Sequence, residues 1–240
     1  MVWPVRPVGG VNDGRSGIAR SRWQDLLRAA FDLIDHANRE HRVVDGWTLG
    51  GGTALMLRID HRESYDIDLF VDDPQVLPYL RAAASETAFA IGEPAYGGDG
   101  ATHLKLAFEH VGEFDVIVAA PQTDRPSKPV ELLGRTVELE TVAEVIAKKV
   151  RYRGSSLQPR DVFDISAALE TEHAPSVKAA LAHMPERARA AQVAANRLKE
   201  DATRTLIAQL QIRQRLEHLT GEALGIVRGA FDEVGAERHV

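Results

Sequence analysis

Between Tyr65 and Val71 the chain reads Tyr-Asp-Ile-Asp-Leu-Phe-Val, with apolar and acidic residues alternating at its start. A period of two predicts a β-strand with one apolar face. Side chains on a strand alternate between its two faces, so Asp66 and Asp68 share a face. Two carboxylates placed in this way repel unless a cation lies between them. Hard oxygen ligands suit Mg²⁺, which is commonly held by one or two carboxylates together with substrate phosphates.

The residues before this strand point to the same chemistry. Gly46-Trp-Thr-Leu reads as a short strand that ends in Gly50-Gly51-Gly52, and a helix opens at Thr53-Ala-Leu-Met-Leu-Arg-Ile. Glycines let backbone N–H groups approach a phosphate closely, and the start of a helix favours an anion. Gly51 and Gly52 are therefore candidate nucleotide contacts, and the Thr53 hydroxyl is a further candidate for the same phosphates. A third carboxylate, Asp115, interrupts the apolar run Phe114-Asp-Val-Ile-Val. A charge there is costly unless it is paired or bound to metal. Asp115 is thus a candidate ligand for a second ion, or the base for an attacking hydroxyl.

Helical spacing of Trp23, Leu26, Leu27, Ala30, Phe31, Leu33 and Ile34 predicts a first helix over 20–41, and 74–90 also reads as helical. Strands are expected over 102–108 and 113–119, with Gly112 suiting a hairpin between them. The polar stretch 121–129 carries three prolines and is the candidate domain boundary. Beyond about Thr136 every long segment reads as helical. Thr141-Val-Ala-Glu144 forms a capping box, and 185–219, with no Gly or Pro inside it, suggests one long helix. The expected organisation is a flexible tail over 1–17, a catalytic domain over 18–135 and a helical domain over 136–240. The fold class is α+β: a small mixed sheet with flanking helices, followed by a helical C-terminal domain.

Composition narrows the chemistry. The 240 residues include no cysteine, which excludes disulfides, thiolate zinc sites and cysteine nucleophiles and fits a reducing cytoplasm. No apolar run is long enough to span a membrane, and the N-terminus lacks the pattern of a signal peptide. The expected location is the cytoplasm, away from membranes. The net charge of −6 comes from residues 1–135, with 14 basic and 20 acidic side chains, because residues 136–240 hold 15 of each. Between Glu144 and Asp161 lie Lys148, Lys149, Arg151, Arg153 and Arg160 and no acid. Such a stretch is either a solvated helix face or a phosphate-binding patch.

Gly-Gly-Thr spaced to Asp-x-Asp, with a later lone Asp on a strand, resembles the polymerase-β-like nucleotidyltransferase superfamily. The fuller string Gly51-Gly-Thr-Ala-Leu-Met-Leu-Arg, then His61-Arg-Glu-Ser-Tyr-Asp-Ile-Asp-Leu-Phe70, resembles its AbiEii/AbiGii branch. These are toxins of type IV toxin–antitoxin and phage-defence systems, and they include the mycobacterial MenT enzymes. Glu144-Val-Ile-Ala-Lys-Lys149-Val-Arg-Tyr-Arg153 and Arg160-Asp-Val-Phe-Asp164-Ile resemble that branch's lysine motif and its Arg-Asp-x-x-Asp helix.

The resemblance implies a Mg²⁺-dependent enzyme, with Mn²⁺ as a substitute, that moves a nucleoside monophosphate from an NTP to RNA. The implied acceptor is the 3′ end of tRNA and the implied partner is a winged-helix AbiEi-like antitoxin. By position, Asp66 and Asp68 would hold metal, Lys149 would contact the triphosphate, and Asp164 would occupy the last acidic motif. Asp164 could instead pair with Lys149 or Arg151 and orient it. Arg151, Arg153 and Arg160 are the expected RNA contacts. Arg58, His61, Arg62 and Ser64 either touch nucleotide or form a solvated loop in which an arginine pairs with Asp60. Transfer to a protein hydroxyl and a nucleotide-binding regulatory module without catalysis are the alternative functions.

Overall fold

The computed structural model describes residues 21–39 and 42–236; the expected tail over 1–17 and the expected ends of the first helix lie outside them. The chain divides into two compact units, each assembled from three segments. The first comprises Met1–Leu57, Ser64–Ala120 and Ser127–Leu139, and the second comprises Arg58–Glu63, Pro121–Pro126 and Glu140–Val240.

The first unit is built on a mixed sheet of seven strands among the described residues: β1 Thr48–Gly50, β2 Ile67–Val71, β3 Ala95–Gly97, β4 His103–Phe108, β5 Gly112–Val118, β6 Ser127–Leu132 and β7 Arg135–Glu140. Their order is β3-β4-β5-β2-β1-β7-β6. β1 runs antiparallel to β2 and parallel to β7, β2 runs parallel to β5, and β4 and β5 form the expected hairpin. Helices α1 (Trp23–Ala37), α2 (Gly51–Ile59) and α3 (Val76–Glu86) flank it. The apolar stripe of α1, with Leu26, Leu27, Ala30 and Leu33 fully shielded from water, packs towards β5 and α3. That stripe follows the helical spacing read from the sequence.

The sheet is larger than expected. Residues 127–140 form a hairpin on its far side, where the sequence suggested loop and the beginning of the helical region. β6 is an edge strand, so Pro129 needs no ladder donor there.

The second unit carries α4 (Val142–Arg153), α5 (Pro159–Leu169), α6 (Ala174–Ala182), α7 (Pro185–Arg197), α8 (Glu200–Ile207) and α9 (Leu219–Ala236). α9 packs on both α5 and α7, and α4 packs on α6. Thr141 caps α4, its hydroxyl oxygen accepting from the Glu144 N–H at 3.2 Å, but the expected capping box is only half formed, because the Thr141 N–H donates to the Pro126 carbonyl instead of the Glu144 side chain. The Glu144 carboxylate accepts from the Gln122 N–H and the Thr123 hydroxyl, fixing the 121–126 segment on α4. The single long helix expected over 185–219 is instead α7, a break at Leu198 and Lys199, α8 and a short 3₁₀ turn at Gln214–Leu216. Among the described residues no helix is long and apolar enough to cross a membrane.

Candidate active site

The acidic residues of the first unit stand in a row across the sheet. Parallel pairing sets Asp68 on β2 beside Asp115 on β5, and the hairpin sets Asp115 beside Lys105 on β4. Paired residues on adjacent strands present their side chains to one face, and Asp66, two residues before Asp68, belongs to the same side. The Asp115 carboxylate faces His103 Nε2 at 2.9 Å and Lys105 Nζ at 3.6 Å, and Lys105 also pairs with Glu113. His103 therefore belongs to this cluster. The polar i, i+2 face of β4 opposite Asp115 was the signal for both His103 and Lys105. The Asp66 carboxylate accepts from the Glu113 N–H at 3.3 Å. Desolvation, together with the charges of Glu113 and Asp115, pushes its carboxyl above the ordinary range, against the pull of that N–H and of Lys105.

Behind the row, α2 begins in direct contact with it. Gly51 has φ +63°, and a Cβ placed there would lie 1.7 Å from Asp68 Oδ2. Only glycine permits both that backbone and that approach. The start of a helix, whose first N–H groups have no partner within the helix, is thereby brought against a carboxylate. Thr53 is fully buried and its hydroxyl donates to the Asp66 carbonyl. The hydroxyl read as a phosphate contact is thus turned inward, where it ties α2 to the residue just before β2.

Oxygen donors on adjacent strands, crowded enough to disfavour ionisation of Asp66, match the chemistry of Mg²⁺. Among the described residues no three His, Asp or Glu side chains gather into a ready-made metal cage. An Asp66–Asp68 pair completed by substrate phosphates fits the ion without one, and Asp115 stands beside that pair with its own partners.

All the remaining sequence candidates except Ser64 lie in the second unit. His61 and Arg62 are buried, and so is Asp164 on α5. His61 Nε2 lies 2.9 Å from Asp164 Oδ1, which also accepts from Arg62 Nε at 2.7 Å. Asp164 Oδ2 accepts from Arg62 Nη2 at 3.0 Å and faces Lys149 Nζ at 2.9 Å. Burial would raise the Asp164 carboxyl, but Arg62, Lys149 and the His61 hydrogen bond outweigh it and hold the carboxyl well below the usual carboxylate range. Burial pushes His61 down. Asp164 is thus paired with Lys149. Lys149 also meets Asp161 at 3.2 Å, and Asp161 meets Arg153 at 3.4 Å.

The other candidates have distinct surroundings. Lys148 is buried against Glu140 at 2.5 Å and Glu144 at 3.6 Å. Arg151 and Arg160 are exposed. Arg58 donates to the Glu140 carbonyl, Ser64 is buried, and Asp60 pairs with Arg213 at 2.6 Å. The segment over 58–63 is therefore anchored protein, and Asp60 finds its arginine much later in the chain, at Arg213. Trp47 packs on Phe31, their ring centroids 6.2 Å apart.

Comparison with known proteins bears on this arrangement. Compared with curated sequences, the chain has no significant match. Among solved structures it is similar to MenT4, a nucleotidyltransferase toxin of Mycobacterium tuberculosis H37Rv, with a TM-score of 0.52 and 17% identity over 89% of this chain and 83% of that one. It is also similar to a putative nucleotidyltransferase from H. pylori, with a TM-score of 0.50 and 13% identity over 92% and 98%. These likenesses carry the fold. The sequence profile of the nucleotidyl transferase AbiEii toxins of type IV toxin–antitoxin systems matches residues 35–235, a span that includes every candidate named above, and the chain belongs to that family.

Proposed function

We propose that this chain moves a nucleoside monophosphate from an NTP to the 3′-hydroxyl at the acceptor end of tRNA or of another RNA. It would act as the toxin of a pair whose antitoxin is an AbiEi-like winged-helix protein. The observation that carries the nucleotide half is the contact between Gly51 and Asp68. Amide donors suit a triphosphate, carboxylates suit the cation that accompanies it, and a missing Cβ lets the two meet.

In the reaction the attacking hydroxyl oxygen bonds to the α-phosphorus, the bond from that phosphorus to the bridging oxygen breaks, and pyrophosphate leaves. A bound Mg²⁺ or Mn²⁺ supplies neutralisation of the phosphate charge. Asp66 and Asp68 hold that ion. The N–H groups of Gly51 and Gly52 and the Lys149 ammonium hold the phosphates, while Thr53 keeps α2 fixed on Asp66. Asp115, oriented by His103 and Lys105, accepts the proton from the attacking hydroxyl. Asp164 orients Lys149. The RNA backbone is met by Arg151, Arg153 and Arg160; the exposure of Arg151 and Arg160 in a stretch without acids favours this surface.

Each labelled NTP, incubated with total RNA and cell extract, tests the reading against an Asp68→Ala variant. Label is expected at RNA 3′ ends with the wild type alone. Label in protein alone would move the acceptor to a protein hydroxyl. Label in neither, with NTP still bound, would leave a nucleotide-binding module. Changing Arg151, Arg153 and Arg160 together to Gln should weaken RNA binding and flatten its salt dependence, by roughly 0.7 in the log–log slope for each phosphate of a single strand that is no longer neutralised.

A further inference from the structure

We propose that His61 and Arg62 are positioning residues that act through Asp164 to fix the Nζ of Lys149, and so set the affinity for the NTP triphosphate. The inference rests on Lys149 being the phosphate contact proposed above.

The Asp164 carboxylate is gripped from one side and used from the other. Arg62 takes it with both arms of its fork, Nε to Oδ1 at 2.7 Å and Nη2 to Oδ2 at 3.0 Å. A fork fixes the plane of a carboxylate as well as its place. His61 takes a further position on Oδ1 at 2.9 Å, so Lys149 meets Oδ2. The second anchor of the lysine is Asp161 Oδ1 at 3.2 Å, one turn earlier on α5. Two carboxylates on one helix face thus locate a single ammonium, and the one nearer to it is itself held by His61 and Arg62.

The protonation state of His61 suits this task. An ionised carboxylate only accepts, so Nε2 carries the proton and Nδ1 is the bare nitrogen. Among the described residues Nδ1 is buried without a hydrogen-bond partner. A second proton there would have nothing to donate to, and burial already disfavours the charged ring. His61 therefore grips Asp164 without adding charge. Arg62 and Lys149 meet Asp164, and Lys149 and Arg153 meet Asp161. Phe163, stacked on the imidazole at 5.9 Å and 13°, sets the plane of the ring.

The test is NTP affinity by calorimetry with Mg²⁺, together with kcat and KM, in His61→Phe, His61→Gln, Arg62→Lys, Lys149→Ala and the pairwise combinations with Lys149→Ala. His61→Phe keeps the ring on Phe163 and loses the donor, and His61→Gln restores a donor. Loss of a hydrogen bond to a charged group should weaken NTP binding about tenfold in His61→Phe and within about twofold in His61→Gln. Arg62→Lys keeps the charge and loses the fork, and it should weaken binding in the same sense should the Phe variant fail to fold. In each, kcat at saturating NTP should change less than KM. Added to Lys149→Ala, neither change should weaken binding further. A folded His61→Phe or Arg62→Lys variant that melts lower yet binds NTP as the wild type does would overturn the proposal. If Lys149→Ala itself binds NTP normally, it is the assignment of the lysine to the triphosphate that fails.

Discussion

Lys148 and Lys149 are neighbours in sequence, yet they answer to different carboxylates. Lys148 sits against fully buried Glu140 and Glu144, whereas Lys149 meets Asp161 and Asp164. Removing one partner of a buried pair costs about 3–5 kcal/mol, so Lys148→Ala should lower the melting temperature sharply with little specific effect on NTP affinity. Lys149→Ala leaves Asp164 with Arg62 and His61 and leaves Asp161 with Arg153, so it should melt nearer the wild type while binding NTP poorly. Thermal melting and calorimetry on both variants separate the two roles, and equal losses of NTP affinity would sink the distinction. A pH effect follows from His61. Its folded pKa lies below the ordinary value of 6.5, so as pH falls below about 6.5 the unfolded chain gains a proton that the folded chain refuses. Stability present above that pH is lost below it, by at most about 1.4 kcal/mol per pH unit. The depressed Asp164 carboxyl has the same sign in a lower window: its contribution is present above 3.8 and lost as pH falls further. Melting temperatures from pH 7 to 5 should fall more steeply for the wild type than for His61→Gln. Parallel curves would mean that His61 titrates alike in both states. The pairing of His61 with Asp164 had no local signal, because the partners lie over a hundred residues apart.

At the scale of elements, what is local was legible and what is tertiary was not. The strand–glycine–helix–strand course from Thr48 to Val71 is written in period and composition, and the hairpin of β4 and β5 in alternation around Gly112. The hairpin of β6 and β7 was missed because its turn residues, Leu133 and Gly134, both have positive φ without the Asn-Gly or Asp-Gly that usually announces such a turn. The break between α7 and α8 has no Gly or Pro to mark it. The carbonyls of Ala195 and Leu198 at the end of α7 accept from the Arg228 guanidinium on α9, which no local pattern shows. Thr53 sits where the sequence put it, but its role depends on the distance from α2 to β2, which only the folded chain sets. Gly51→Ala tests the joint between those elements. The added Cβ would collide with Asp68 in a backbone conformation that L residues disfavour, so transfer should fall by orders of magnitude. Gly46→Ala has open space and should be nearly silent. Activity assays with melting controls decide, and an active Gly51→Ala protein would show that the contact is dispensable.

The whole molecule is two units whose segments interleave along the chain. The Arg58–Glu63 segment, between the glycine-opened helix and the acidic strand, belongs to the second unit. There the Arg213 N–H donates to the His61 carbonyl, the Glu63 N–H donates to the Gln211 carbonyl, and Arg62 bridges to Ile212. A fragment of residues 140–240 therefore lacks both the Arg62 fork and the His61 donor for buried Asp164. It should melt without cooperativity and be cut readily by protease, whereas the full chain should do neither; a fragment that melts as a native domain would show that the inserted segment is an accessory. The same interleaving puts a clock on synthesis. A ribosome adds about 5–20 residues per second, so His61 and Arg62 leave it several seconds or more before Asp164 exists and longer still before Gln211 to Arg213 do. Until then the segment over 58–63 has nothing to close upon. The cluster of His61, Arg62 and Asp164 therefore cannot assemble on a growing chain until its partners from Asp164 to Arg213 have been made.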